Sequence, residues 1–285
     1  MAVTVKQLME AGAHFGHPVA RRHPAFSPFI YDERKGIHII NSAFTVLQLE
    51  QAANHLRDIV AGGGRVLFVG TKPQAGEIIK EQAERCGQFY VTFRWLGGFL
   101  TNFKTIRNSI KKMVEIEESI NKPEGHGLQR TKKERLQQRR EYDKLMRVLA
   151  GVRDMRKIPD AVVIVDVGHE SIAVHETGVL GIPTVGIVDS NSDPTTVTYP
   201  VPGNDDSVRA IEIYVTELAT AVIEGQAQFK EQKAKSAEPV QETEFELSKD
   251  EELDDASLLA RRKVYKVKKT IAIGAKENAA PADSK

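Results

Sequence analysis

Cysteine is almost missing from this chain. Cys86 is its only thiol, so no internal disulfide can form, and a lone thiol in a protein of this size suits a reducing compartment such as the cytosol. No stretch approaches the roughly 20 consecutive apolar residues that a membrane-spanning helix needs. Residues 1–10 lack a basic segment followed by an apolar run, so neither membrane insertion nor secretion is expected. An excess of one charge is also missing, since 40 Lys and Arg face 39 Asp and Glu. What remains is ordinary for a globular protein: 41% hydrophobic and 28% charged residues across 285 positions exclude wholesale disorder and allow a sizeable core with appendages.

The balanced total hides a strong polarity along the chain. Residues 1–103 carry a net charge of +3, 104–157 of +8, 158–225 of −10, and 226–285 of zero. A basic block beside an acidic one favours a molecule that meets a polyanion with one face.

Hydrophobic periodicity supplies the elements. Thr4 followed by Val5, Leu8 and Met9 predicts a short amphipathic helix closed by Gly12. Pro18, Pro24 and Pro28 predict a loop over 13–29, and Ile37, Ile39 and Ile40 a short strand. Thr45 and Gln48 form a plausible capping box for a helix whose Leu49, Ala53, Leu56 and Val60 share one face. After Gly62, Gly63 and Gly64, the apolar run Val66–Val69 reads as a strand buried on both sides of a parallel sheet. A helix over 74–86 and a segment at Phe89–Val91 follow. The same rhythm resumes with strands at Ala161–Val165 and Thr184–Val188, a helix over 170–180 between them, and a last helix over 206–224 stopped by Gly225. Alternating strands and helices predict an α/β fold: a mostly parallel sheet sandwiched by helices.

Residues 104–157 interrupt that rhythm. Ile106, Ile110, Met113 and Ile120 share a helical face broken by Glu117. Pro123, Gly125 and Gly127 mark a turn over 121–127, and Tyr142, Leu145, Leu149 and Val152 mark a returning helix. The expectation is an antiparallel coiled-coil hairpin projecting from a domain built of 1–103 and 158–225. Beyond Gly225, nine acidic residues within 238–255 oppose only Lys249, and Arg261, Arg262, Lys263, Lys266, Lys268 and Lys269 then reverse the sign. Such blocks predict a disordered extension over 226–285.

Several motifs invite chemistry. Gly70-Thr71-Lys72 follows a buried strand, where backbone amides can cradle phosphate. Five residues separate Gly70 from Gly76 where a P-loop has four, Glu77 follows, and no G-x-G-x-x-G is present. A tight turn that leaves Lys72 free for an RNA phosphate is the preferred reading. His14, His17 and His23 have spacings that can converge on zinc, but thiolates are absent and the nearest carboxylates, Asp32 and Glu33, lie across the loop. Neighbouring Arg21 and Arg22 favour RNA, so no metal is expected. Asp166, His169 and Glu170 stand at a strand-to-helix junction, the usual place for active sites in open sheets, yet no nucleophile is near and helix capping explains them. Asp189, Asn191 and Asp193 resemble a calcium loop, but Pro194 replaces the required Gly and Pro200 the bidentate Glu.

The insertion carries the clearest signal. Lys104, Arg107 and Lys111 form one stripe at helical spacing, and Lys132, Arg135 and Arg139 another. Each can follow a phosphate backbone. Glu115, Glu117 and Glu118 show that not every face is basic.

The segment Arg94-Trp95-Leu96-Gly97-Gly98-Phe99-Leu100-Thr101-Asn102, just before that insertion, resembles one in the small-subunit ribosomal protein S-two family. Glu10-Ala11-Gly12-Ala13-His14-Phe15-Gly16-His17, Leu67-Phe68-Val69-Gly70-Thr71-Lys72, Leu180-Gly181-Ile182-Pro183, Ile187-Val188-Asp189-Ser190-Asn191-Ser192-Asp193-Pro194 and Pro202-Gly203-Asn204-Asp205-Asp206 match in the same order. The resemblance implies a flavodoxin-like, Rossmann-like domain with an inserted hairpin of the bacterial and organellar branch. It also implies binding to small-subunit rRNA, a neighbourhood including ribosomal protein S-one, a place on cytoplasmic or organellar ribosomes, and no catalytic residues, cofactor or small-molecule substrate. The chain departs from the family at 18–23, at 73–74 and after Gly225. The expected RNA contacts are Arg21, Arg22, Lys72, Arg94, Trp95, Lys104, Arg107, Lys111, Lys112, Lys132, Arg135 and Arg139. Two alternatives remain: a sugar-phosphate or nucleotide enzyme using Asp166, His169 and Asp189, and a protein-recruitment scaffold using the acidic region and the tail.

Overall fold

Two runs with no polar residue, β4 (Val66–Val69) and β6 (Ala161–Val165), lie side by side at the centre of a five-stranded parallel sheet. In this computed structural model, which describes residues 3–121 and 132–237, the sheet order is β5-β4-β6-β7-β8, with β5 at Phe89–Val91, β7 at Thr184–Val188 and β8 at Tyr199–Pro202. β8 carries Pro200 and Pro202, which hide it from a strand pattern. Proline cannot donate to a ladder and is tolerated on an edge, which is where β8 lies.

Alternate residues of the central strands face two separate cores. Val66, Phe68, Ala161, Val163 and Val165 pack with α2 (Ser42–Ala61), α3 (Pro73–Arg85) and α7 (Val208–Ala237). Leu67, Val69, Val162 and Ile164 face the other way, onto Phe26, Phe99 and Ala173 of α6 (Ser171–Leu180). Ile106, Ile110 and Met113 of α4 (Phe103–Asn121) join this second core. Burying each such side chain contributes roughly 1.5–3 kcal/mol. The insertion is therefore not hung on the domain from outside, because the start of α4 forms part of the layer covering the sheet. α5 (Lys132–Leu149) packs along α4, and Leu149 reaches the same core. The predicted turn over 121–127 lies, from 122 on, outside the described residues.

The N-terminal region holds more structure than its prolines suggest. After α1 (Val5–Glu10), closed at its start by the Thr4–Gln7 capping box, come β1 (Phe15–Pro18), β2 (Ile30–Arg34) and β3 (Ile37–Ile40) in an antiparallel sheet of order β1-β3-β2. Residues 13–29 are thus not all loop. The β2–β3 hairpin turns on Lys35 and Gly36, whose φ angles of 52° and 74° match the twist-compatible two-residue turn. Lysine at the first position conceals it.

Two helix ends depart from the pattern. Asn41, not Thr45, caps α2, its Oδ1 accepting from the Ala43 amide at 3.1 Å. Thr45 is inside the helix, and its buried hydroxyl donates to the Pro202 carbonyl at 2.7 Å. At the other end of the chain, α7 runs through Gly225 to Ala237. A Cβ at Gly225 would stand 2.5 Å from the Arg57 carbonyl oxygen of α2. The glycine permits a close helix crossing and does not stop the helix, so the predicted tail begins no earlier than 238. The expected disorder of 238–285 lies outside the described residues.

Candidate functional site

In open α/β sheets a ligand binds beyond the carboxyl ends of the strands where the strand order reverses. Here that point lies between β4 and β6, and the turns following them meet there. Lys72, after β4, places its Nζ 2.6 Å from Asp166 Oδ2, 2.8 Å from Asp205 Oδ1 and 2.8 Å from Asp206 Oδ1. Burial alone would lower the pKa of the ammonium, but the hydrogen bonds it donates to Asp166, Asp205 and Asp206 outweigh it and raise it. Lys72 is thus not free for RNA as expected. Its charge is already met by carboxylates from the ends of β6 and β8.

The amide that could cradle a phosphate is also occupied. Thr71 N donates to Glu170 Oε1 at 2.8 Å, and His169 Nε2 lies 3.1 Å from Thr71 Oγ1. Asp166 holds the opposite side with φ at 64°, unusual for a residue with a Cβ, while its Oδ1 accepts from the His169 amide at 2.9 Å. The crevice is closed by the protein's own acids. Asp166, His169 and Glu170 come together as the sequence suggests, but as a brace between two turns.

Beside this cage, His17 of β1 sets Nδ1 3.0 Å from Asp189 Oδ2 and Nε2 3.6 Å from Asp206 Oδ2. The Asp189 carboxylate at this distance raises the imidazole pKa against the opposing effect of burial. Asp205 is fully buried, and burial, reinforced by Asp166 and Asp189, pushes its carboxyl up to about 7. His17, Asp189 and Asp205 each offer a donor atom within 4.8 Å of the others, a set able to hold a divalent cation. His14 and His23, whose spacing from His17 is compatible with zinc, are not part of this set. The partners of His17 come from loops more than 170 residues away, which no local spacing signals. Asp193 caps a 3-10 turn, its Oδ1 accepting from Thr195 N at 2.9 Å.

The aromatic and glycine-rich segment 94–102 is organised by one buried carboxylate of α6. Glu176 Oε1 accepts from Trp95 Nε1 at 3.1 Å and Gly98 N at 2.8 Å. Its Oε2 accepts from Leu100 N at 2.9 Å and from both Thr101 N and Thr101 Oγ1 at 3.0 Å. Burial opposes ionisation, yet hydrogen bonds from Thr101, Trp95, Leu100 and Gly98 hold its pKa below the usual range. Trp95 is 6% exposed and packs on Phe99 with ring centroids 4.7 Å apart. The indole belongs to the core, so the expected RNA contact at Trp95 is corrected. Arg94 beside it is exposed.

The remaining expected cations lie on the surface. Lys104, Arg107 and Lys111 are exposed on α4, away from the face that buries Ile106, Ile110 and Met113. Lys132, Arg135 and Arg139 are exposed on α5, and Arg21 and Arg22 on the turn after β1. Lys112 is off the stripe and pairs with Glu141.

Against known proteins, the family model described as ribosomal protein S2 matches residues 8–225. The chain belongs to the ribosomal protein S2 family. It is 52% identical over 222 residues to the small ribosomal subunit protein uS2 of Rhodospirillum centenum, covering 78% of this chain and 84% of that one. The proteins of the same description from Acidiphilium cryptum and Agrobacterium fabrum are 51% and 50% identical, each covering 78% of this chain and 86% of the relative. These relatives make it a bacterial-type family member. The matched range takes in the cage, the Glu176 clamp and the basic insertion, and ends at Gly225, inside α7.

Proposed function

We propose that the protein is a structural constituent of the small ribosomal subunit. On this reading it binds small-subunit rRNA through the exposed faces of α4 and α5, with Arg94, Arg21 and Arg22 as flanking contacts. The observation that carries the reading is the construction of α4. One side is locked into the core by Ile106, Ile110 and Met113, while Lys104, Arg107 and Lys111 stand exposed on another. A helix held this way presents its cations along a fixed line, and such a line can track a phosphate backbone. The relatives are named as small ribosomal subunit proteins, which supports the RNA of that subunit as the partner.

The role is structural and not catalytic: the sheet's carboxyl edge is taken up by Glu170 and by the aspartates around Lys72, leaving the enzyme alternative without a phosphate cradle. The protein would work on the ribosome, cytoplasmic in a bacterium, beside other small-subunit proteins including ribosomal protein S-one. No helix among the described residues is long and apolar enough to cross a membrane. Expression of the tagged chain followed by gradient sedimentation tests the reading. The chain should travel with small subunits, and Lys104→Glu/Arg107→Glu/Lys111→Glu should shift it toward the free fraction. A wild-type chain that stays at the top of the gradient would overturn it.

A further inference from the structure

At the opposite end of the sheet from the aspartate cage, the amino ends of β4, β5 and β6 surround an open cleft of about 800 Å³. Its apolar lining comes from Ile59, Phe89 and Ile158, and its cations are Arg65, Arg156 and Lys157. Asp154 and Asp160 also line it, but Asp160 is engaged, its Oδ2 accepting from the Arg65 amide at 2.8 Å. A second aromatic ring stands at the rim. Phe229, on the part of α7 beyond Gly225, lies against Gly63, where a Cβ would meet its ring at 2.9 Å. Phe229 is 38% exposed and Ile158 39%.

We infer that this cleft binds an unpaired nucleotide of RNA, its base on the apolar lining and its phosphate at Arg156 and Lys157. The inference rests on the RNA-binding reading above and adds a second site with a different chemistry. An RNA duplex offers phosphates on a convex surface and keeps its bases stacked inside, so it has nothing to place in a concave apolar pocket. A splayed nucleotide supplies both a π-face and a charge. Arg156 and Lys157 closely follow α5, so an RNA strand tracking the insertion is carried toward the cleft.

The test uses the full chain and three probes: an oligo(U) octanucleotide, a blunt RNA duplex and a hexaglutamate peptide. Arg156→Glu/Lys157→Glu, at exposed positions, should weaken oligo(U) binding roughly tenfold while changing duplex binding far less. Phe229→Ala should weaken oligo(U) without altering the salt slope, since it removes no charge. Lys104→Glu/Arg107→Glu/Lys111→Glu should do the reverse, weakening the duplex more than oligo(U). Equal losses on both RNAs from Arg156→Glu/Lys157→Glu would overturn the cleft, because any basic patch would behave so. No loss of oligo(U) binding would also overturn it, leaving the insertion reading intact if the α4 variant still loses the duplex. If neither variant changes either RNA, both readings fall. Hexaglutamate binding that depends on Arg156 and Lys157, without oligo(U) binding, would make the ligand an acidic protein segment and reject the nucleotide.

Discussion

The indole nitrogen of Trp95 donates to Glu176 Oε1 at 3.1 Å across 81 positions of sequence. That hydrogen bond is one of five converging on a single carboxylate, and together they fix the segment that feeds directly into α4. The segment leading into the basic helix is therefore anchored by a buried acid on α6, while Ile106, Ile110 and Met113 hold the helix itself in the core.

Glu176→Gln tests this clamp. The amide has one acceptor oxygen where the carboxylate has two, and its NH2 faces backbone donors that then lose their partner. Stability should fall by about 2–4 kcal/mol in urea unfolding, with faster amide exchange at 98–101. Because the folded-state pKa of Glu176 is lowered, its contribution is present above the unfolded value of about 4.3 and disappears as pH falls through the folded one. The acid limb of the wild-type stability curve should flatten in the variant.

Asp205 has the opposite sign. Its carboxyl is raised to about 7 by burial and by its acidic neighbours, so its contribution is greatest below the unfolded value of about 3.9 and is lost as pH rises toward 7. Asp205→Asn should remove that decline, measured as stability at pH 4.5 against pH 7.5. Lys72→Met, which leaves the aspartates without their cation, should instead steepen it and cost about 3–5 kcal/mol at neutral pH.

Gly225→Ala separates two effects that a helix glycine confounds. Alanine is the better helix former by about 1 kcal/mol, but here its Cβ would overlap the Arg57 carbonyl oxygen. Thermal unfolding should show net destabilisation of about 1–3 kcal/mol. A stabilised variant would mean that the α2–α7 crossing yields easily.

These tests fall where the sequence and the structure part. The unbroken apolar runs of β4 and β6 and the β-branched residues of β7 carry their own signal, as do the faces of α2 and α7, so the α/β class is legible from periodicity alone. β8 is not, because Pro200 and Pro202 suit only an edge strand, and edge position depends on the whole sheet. Gly225 reads as a stop because the residue permitted by a tight crossing is the one that also ends helices. The cations of α4 and α5 lie exposed on their helices, a placement that helical spacing makes legible because it is local. Lys72 and Trp95 were candidate RNA contacts whose partners, Asp205 and Glu176, lie 133 and 81 residues away. Nothing near either residue announces that it is already satisfied.

The most direct test of RNA binding through α4 is the affinity of the full chain for small-subunit rRNA over a series of salt concentrations. Lys104→Glu/Arg107→Glu/Lys111→Glu should weaken binding and flatten the slope of log K against log salt by roughly 2–3, about one for each phosphate that the helix no longer neutralises. An unchanged affinity and slope would contradict the account.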